Sequence, residues 1–105
     1  MISNSRDVTR VYELGRRARK DGVVAIAASR PEGGEARAAL AVPARVGSAP
    51  VRNRIRRRLR AVLREWDLPA GFDVVLQADS SVAEADYQEL VNNVKAAVTS
   101  AVEAQ

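Results

Sequence analysis

The sequence of 105 residues contains no cysteine and no histidine. The absence of cysteine excludes disulfide bonds and thiol chemistry, and a chain without either residue type cannot form the usual structural zinc site. A Ser-His-Asp triad is excluded as well. The longest unbroken apolar run covers residues 23–28, whereas a membrane-spanning helix needs about 20 apolar residues. These absences favour a cytoplasmic protein with no metal site of its own and no membrane segment.

Aromatic residues are also scarce, at 4% of the chain. The hydrophobic share of 47% and the charged share of 29% are nevertheless those of a folded protein. A core must therefore be built from valine, leucine, isoleucine and alanine. The length allows one domain, and we expect residues 1–105 to form it.

Charge is distributed unevenly along the chain. Residues 1–64 have a net charge of +11 and residues 65–105 have a net charge of −7, which together give +4. Arginine outnumbers lysine 15 to 2, and the planar guanidinium group matches phosphate oxygens in pairs. The first part of the chain is therefore expected to face a polyanion.

Hydrophobic periodicity and turn residues predict six main elements. Caps are available at Asn4 or Ser5 for the first helix and in a capping box from Ser81 to Glu84 for the last. A Gly-rich turn at residues 31–35 suggests that the first two strands form a hairpin. The order helix-strand-strand-helix-strand-helix predicts a small α+β sandwich and allows one further short strand. The predicted segments are a helix over 4–19, strands over 23–29 and 36–42, a helix over 49–65, a strand over 72–78 and a helix over 82–104.

The helix predicted over residues 49–65 has two contrasting faces. A helical wheel gathers its apolar residues into one sector of roughly 120°. That sector contains Val51, Ile55, Leu59, Val62, Leu63 and Trp66. The opposite sector contains Asn53, Arg56, Arg57, Arg60 and Arg64. Arg52 falls on the border between the two.

No acidic residue interrupts residues 52–64, although seven of them are arginines. Like charges four residues apart on a helix destabilise it by a few tenths of a kcal/mol per pair. A phosphate backbone bound along this face would turn that repulsion into attraction. The pattern therefore predicts a polyanion-binding helix, without deciding between DNA and RNA.

The run from Arg45 to Arg60 resembles the signature of bacterial ribonuclease P proteins. The resemblance rests on the triplet Arg52-Asn53-Arg54, the Arg and Leu residues that follow it, and the upstream pair Val46-Gly47. The opening segment from Ser5 to Arg16 is also similar. This resemblance implies a small α/β sandwich with a left-handed βαβ crossover, against the general preference for right-handed connections.

The resemblance also implies a function, that of the accessory subunit of an endoribonuclease whose catalyst is RNA. Such a protein binds the ribonuclease P RNA and the 5′ leader of precursor tRNA, and it assists removal of the leader. The magnesium ions of the holoenzyme would be bound mainly by the RNA. Neither a protein active site nor a small-molecule substrate is expected.

Site residues follow from the resemblance taken together with the helical wheel. The leader cleft is expected to involve Val8, Tyr12 and Val24. Gly47 would permit a tight turn or a close approach of RNA. The residues expected to bind RNA are Arg45, Arg52, Asn53, Arg54, Arg56, Arg57, Arg60 and Arg64.

Three other functions remain open from the residues alone. The main alternative is a general structured-RNA-binding or ribosome-associated module without a role in cleavage. A DNA-binding protein would place the arginine helix in the major groove, but Asn53 is the only uncharged polar base reader there and a strand precedes the helix. A structural domain could instead use its acidic last helix to dock a basic protein.

Overall fold

The computed structural model describes residue 2 and residues 4–105. In these residues the element order is α-β-β-β-α-β-α, which confirms the predicted α+β sandwich and adds the short strand that the sequence allowed. Two short 3₁₀ helices lie at Ala44–Val46 and Ser80–Ala83. The main elements are α1 (Ser5–Leu14), β1 (Arg16–Lys20), β2 (Val23–Ser29), β3 (Arg37–Ala41), α2 (Ala49–Glu65), β4 (Phe72–Ala78) and α3 (Tyr87–Glu103).

The four strands form one mixed sheet in the order β1-β2-β4-β3. The pairs β1–β2 and β2–β4 are antiparallel, and β3 is parallel to β4. The predicted hairpin between β2 and β3 is therefore wrong, because β4 lies between them. Residues 23–28 of β2 are all buried, so this strand occupies a central position with a neighbour on each side. The connection β3-α2-β4 is the expected βαβ unit. The left-handedness of this crossover stays a prediction.

Each face of the sheet has its own hydrophobic cluster. Alternate residues of β2 and β4, such as Val23 and Leu76, belong to the cluster that packs beneath α2 and α3. The intervening residues, such as Ile26 and Val75, cluster with Val11 of α1. Because α1 has only 10 residues, part of the second face remains available to line a cleft.

The first helix is shorter than the sequence predicts. Asn4 caps it as expected, since its side-chain oxygen accepts a hydrogen bond from the backbone N–H of Arg6. The helix ends at Leu14, however, and residues 16–20 form β1. Gly15 explains the ending, because a Cβ there would lie 2.8 Å from Ile26 Cγ2 and would collide with the Val11 carbonyl oxygen. The basic residues Arg16, Arg17 and Arg19, which fall within the helix predicted over 4–19, instead lie on an edge strand.

The last helix begins later than the sequence predicts. Ser81 does not cap it; the Asp79 side chain accepts a hydrogen bond from the Ser81 backbone N–H at 2.9 Å and stabilises a separate 3₁₀ turn. The helix begins at Tyr87, and its N-cap is Asp86, whose side chain accepts from Glu89 N–H at 3.1 Å. The predicted capping box is wrong because Asp79 and Asp86 supply the capping acceptors at the starts of the 3₁₀ turn and of the helix.

Helix α2 has the bounds that the sequence predicts. Pro50 lies in its first turn, and Ser48 occupies the N-cap position without a side-chain capping hydrogen bond. Ile55, Leu59 and Val62 are fully buried, which confirms the apolar face of the wheel. No helix in the described part of the chain is both long enough and apolar enough to cross a membrane.

Candidate nucleic-acid interface

The outward face of α2 carries a row of arginines without acidic partners. Arg57, Arg60 and Arg64 are exposed, and within residues 4–105 none of the three forms an ion pair or a side-chain hydrogen bond. A shallow depression of about 650 Å³ adjoins this row and is lined by Pro50, Asn53, Arg56, Arg57 and Arg60. The donors of three arginines in one hollow suit a ligand with many anionic oxygens.

Arg56 is held in position within this row. Its Nη1 donates to Asn53 Oδ1 at 3.0 Å, and its Nη2 donates to the Val42 carbonyl at 3.4 Å. Val42 also lines a second hollow, the cleft described below. Arg56 therefore connects the helix row to that hollow, and its fixed side chain loses less entropy on binding than a free one.

Other arginines of α2 contact the protein itself. Arg52 Nε donates to the Gly47 carbonyl at 3.2 Å and braces the loop before the helix. Arg54 Nε donates to the Ala83 carbonyl at 2.6 Å and lies 3.6 Å from a Glu84 carboxylate oxygen. Both keep their two Nη nitrogens available for a ligand.

Both Nη nitrogens of Arg58 donate hydrogen bonds within the protein. Its Nη1 donates to the Ala83 carbonyl at 3.3 Å, and its Nη2 donates to the Ala85 carbonyl. These bonds satisfy carbonyl groups at the end of the 3₁₀ turn, so Arg58 fastens that turn to α2. These contacts agree with the helical wheel, on which Arg58 lies outside the polar sector.

The second hollow is a cleft of about 500 Å³ on the open part of the sheet. Residues of α1, of all four strands and of the segment after β3 contribute to it. Arg19 and Arg45 supply positive charge at this cleft, and neither has an ion-pair partner among the residues described. Its walls include Tyr12, Arg19, Val24, Val42, Arg45 and Gln77.

The residues predicted for a leader cleft are only partly together. Tyr12 is 41% exposed and lines the cleft, so it is not a core residue. Val24 forms part of the floor and is only 5% exposed. Val8 does not line the cleft; it packs against the cluster under α1, because its turn of the helix faces the sheet. The contact of Val8 with a leader stays a prediction.

Arg19 and Gln77 were missed from the sequence. The sequence predicts Arg19 at the end of a helix, whereas strand pairing places it beside Val24. Gln77 lies opposite Val24 on the next strand. The glycine at position 15 was the available signal that the helix ends early. No local pattern marks Gln77, because its place depends on the order of strands in the sheet.

No group of three or more acidic side chains in the described chain is placed to hold a metal ion. The buried Asp73 is instead used by Arg37, whose Nε and Nη2 donate to its two carboxylate oxygens at 2.8 and 2.7 Å. The hydrogen bonds to Asp73 raise the pKa of the Arg37 guanidinium. This pair, with Asp7 at 3.4 Å from Arg37 Nη1, ties α1 to the sheet.

Comparison with known sequences identifies one family. The model of the family described as Ribonuclease P matches residues 1–102. A ribonuclease P protein component from Beutenbergia cavernae is 39% identical over 101 residues, which cover 94% of this chain and 85% of the relative. Matches to relatives from Salinispora tropica and Thermus aquaticus cover only 50% and 36% of those proteins. The chain thus spans half or less of the length of these two relatives.

Comparison with solved structures supports the same fold. A ribonuclease P protein from Thermotoga maritima, solved with a fluorophenyl thiourea, has a TM-score of 0.82 and covers 93% of this chain and 96% of its own. A Staphylococcus aureus ribonuclease P protein has a TM-score of 0.79 and covers 93% and 91%. Both are 19% identical to this chain, so they establish the architecture alone.

Proposed function

This chain belongs to the ribonuclease P family, and on that premise we propose that it is the protein subunit of a ribonuclease P ribonucleoprotein. In this proposal it binds the catalytic RNA and the 5′ leader of precursor tRNA. It assists endonucleolytic removal of the leader, and the RNA performs the cleavage. The role belongs in the cytoplasm, where precursor tRNA is processed.

The observation that carries this proposal is the unpaired arginine row on α2. The opposite, apolar face of α2 is formed by Ile55, Leu59 and Val62, which are fully buried. The helix therefore cannot rotate to bury the arginines instead. Repulsion along the row is unfavourable for the free protein. Binding of phosphates removes that repulsion and releases counterions. A structured RNA offers phosphates on a surface wide enough to use the whole row.

We assign the α2 row to the RNA subunit and the cleft to the leader. Arg45 lines the cleft. Arg52 and Arg54 contribute through their free Nη nitrogens, and their Nε groups brace neighbouring carbonyls. The residues proposed to contact the RNA subunit are Asn53, Arg56, Arg57, Arg60 and Arg64, with Arg52 and Arg54 beside them.

The leader is single-stranded in this proposal, which suits a cleft with one aromatic side chain and two unpaired arginines. Tyr12 supplies the ring, and Arg19 and Arg45 supply the charge. Val24 gives an apolar floor between them. Magnesium is assigned to the RNA in this proposal, and no chemical step is assigned to a protein side chain.

An affinity measurement over a salt series tests the assignment of the α2 row. The double variant Arg56→Ala/Arg60→Ala should bind ribonuclease P RNA more weakly. The slope of log K against log salt should become shallower by roughly 0.7–0.9 for each lost phosphate contact. A control variant with the same loss of charge is Arg6→Ala/Lys95→Ala, since both residues are exposed and lie on α1 and α3.

The same experiment separates the proposal from a general RNA-binding module. Unlabelled ribonuclease P RNA should displace the labelled RNA far better than an unrelated structured RNA of equal length. Equal displacement by both RNAs would leave only a general module. Equal slopes for the Arg56→Ala/Arg60→Ala variant and the control would remove these two arginines from the interface.

A further inference from the structure

Three polar side chains from three different elements form a chain along the cleft. Arg17 of β1 donates from Nη1 to Gln77 Oε1 at 3.3 Å. Gln77 of β4 donates from Nε2 to the Tyr12 hydroxyl oxygen at 3.1 Å. Tyr12 of α1 and Gln77 both line the cleft. The sheet places them on one face, since Gln77 pairs with Val24 and Val24 pairs with Arg19, two residues from Arg17.

The chemistry of the three groups fixes the direction of both hydrogen bonds. A guanidinium group can only donate, so the atom of Gln77 that faces Arg17 must be the amide oxygen. The amide nitrogen then faces Tyr12, and it also can only donate. The tyrosine oxygen therefore accepts, and its own O–H proton has no partner among the described side chains. That proton is left for a group bound in the cleft.

We propose that Gln77, oriented by Arg17, is a positioning residue that makes the Tyr12 hydroxyl a hydrogen-bond donor to a phosphate oxygen of the single-stranded leader. This inference rests on the proposed function of the cleft. A phosphate is favoured as the acceptor because Arg19 and Arg45 give the cleft two positive charges without ion-pair partners among the described residues. The carboxylate of Asp79 also lines the cleft, but it accepts hydrogen bonds from Ser81 and leaves the cleft with an excess of positive charge. The Gln77 side chain orients the Tyr12 hydroxyl as a donor and adds no charge to the cleft.

The first test removes only the hydroxyl group. A holoenzyme reconstituted with Tyr12→Phe should bind leader-bearing precursor tRNA roughly three- to tenfold more weakly than the wild type, the range expected for one hydrogen bond. Its affinity for tRNA without a leader and its melting temperature should not change. Tyr87→Phe is the matched control, because this second tyrosine lies at the start of α3 and not at the cleft.

The second test reverses the direction of the hydrogen bond. In Gln77→Glu the carboxylate accepts from both Arg17 and Tyr12, so the hydroxyl proton turns away from the cleft. The new charge also repels the leader, and a double-mutant cycle with Tyr12→Phe subtracts that contribution. We expect Tyr12→Phe to weaken binding in the wild-type background and to have no effect in the Gln77→Glu background. Equal losses in both backgrounds would overturn the positioning role.

A third arm identifies the acceptor. Leaders carrying one neutral methylphosphonate at successive positions should reveal one position where the wild type loses affinity and Tyr12→Phe loses none. A Tyr12→Phe effect that is the same at every substituted position would overturn the phosphate assignment. A wild type that does not distinguish tRNA with and without a leader would contradict both the cleft function and this inference. Leader discrimination that survives Tyr12→Phe unchanged would overturn the inference alone.

Discussion

The arginines of α2 differ in what their guanidinium groups contact. Arg57, Arg60 and Arg64 have no protein partner within the described residues, whereas Arg58 donates to two backbone carbonyls. Neighbouring residues of identical type therefore have different environments. The distinction follows from helix geometry, since Arg57 and Arg58 point about 100° apart.

Replacing these two neighbours separately should show the difference. Arg58→Ala removes one of the two side-chain donors to the Ala83 carbonyl and the side-chain donor to the Ala85 carbonyl. The loss should lower the free energy of unfolding by about 1–3 kcal/mol. Arg57→Ala should leave unfolding within about 0.5 kcal/mol of the wild type and weaken RNA binding. Urea unfolding and RNA titration of both variants make the comparison. Equal stability of the two variants would contradict the bracing role of Arg58.

A single side chain, Tyr87, should make the free energy of unfolding depend on pH. Burial raises the pKa of its phenol group, and the nearby Glu65 carboxylate raises it further. The unfolded chain then loses this proton near pH 10 before the folded chain does. Stability should fall as pH rises above about 10, and Tyr87→Phe should lose less between pH 9 and pH 11. Parallel losses in urea unfolding would contradict this assignment.

At the scale of elements, close packing decides where α1 ends. The chain leaves the helix at Gly15 and enters β1 directly, with the Gly15 N–H bonded to the Val11 carbonyl at 2.8 Å. The space for a side chain at Gly15 is taken by that carbonyl and by Ile26. A glycine is therefore required for the junction that places Tyr12 and Arg19 at one cleft.

Gly15→Ala should lower the free energy of unfolding by about 1–3 kcal/mol, the usual range for overpacking. The neighbouring Leu14→Ala is the control, because Leu14 is 64% exposed and its truncation should cost less than about 0.5 kcal/mol. Thermal or urea unfolding measures both variants. A Gly15→Ala variant as stable as the wild type would show that the junction tolerates a side chain.

The inner face of α2 supports a stronger prediction. Ile55 is 0% exposed, so Ile55→Asp would place a carboxylate in an apolar core without a partner. We expect the variant to be unfolded by circular dichroism at room temperature. Asn53→Asp changes an exposed position two residues away and should melt normally. A normal melt for Ile55→Asp would contradict the packing of α2.

The sequence predicts α2 well and the first part of the sheet poorly. Helix α2 follows from the local spacing of Val51, Ile55, Leu59 and Val62, which the core then uses. Strand β1 could not be predicted because its basic residues fit a helix terminus equally well. The pairing of β2 with β4 joins residues as distant as Val23 and Ala78, and no short-range pattern encodes it. The cleft residues Arg19 and Gln77 were missed for this reason.

At the scale of the whole molecule, helices pack on both faces of the sheet. One face is covered by α2 and α3, and the other carries α1 and the cleft. The outer row of α2 reaches the cleft through the hydrogen bond from Arg56 to Val42. The two hollows therefore adjoin. In the proposed function, this arrangement allows the RNA subunit to bind the helix row while the single-stranded leader enters the cleft.

The most direct test of the account is a cleavage reaction reconstituted from purified parts. Bacterial ribonuclease P RNA and a precursor tRNA are mixed at a magnesium concentration at which the RNA alone is nearly inactive. The wild-type protein and the Arg6→Ala/Lys95→Ala control should restore cleavage at the 5′ end of the mature tRNA. The Arg56→Ala/Arg60→Ala variant should restore far less. Binding of the wild-type protein to its matched RNA without any restored cleavage would contradict the account.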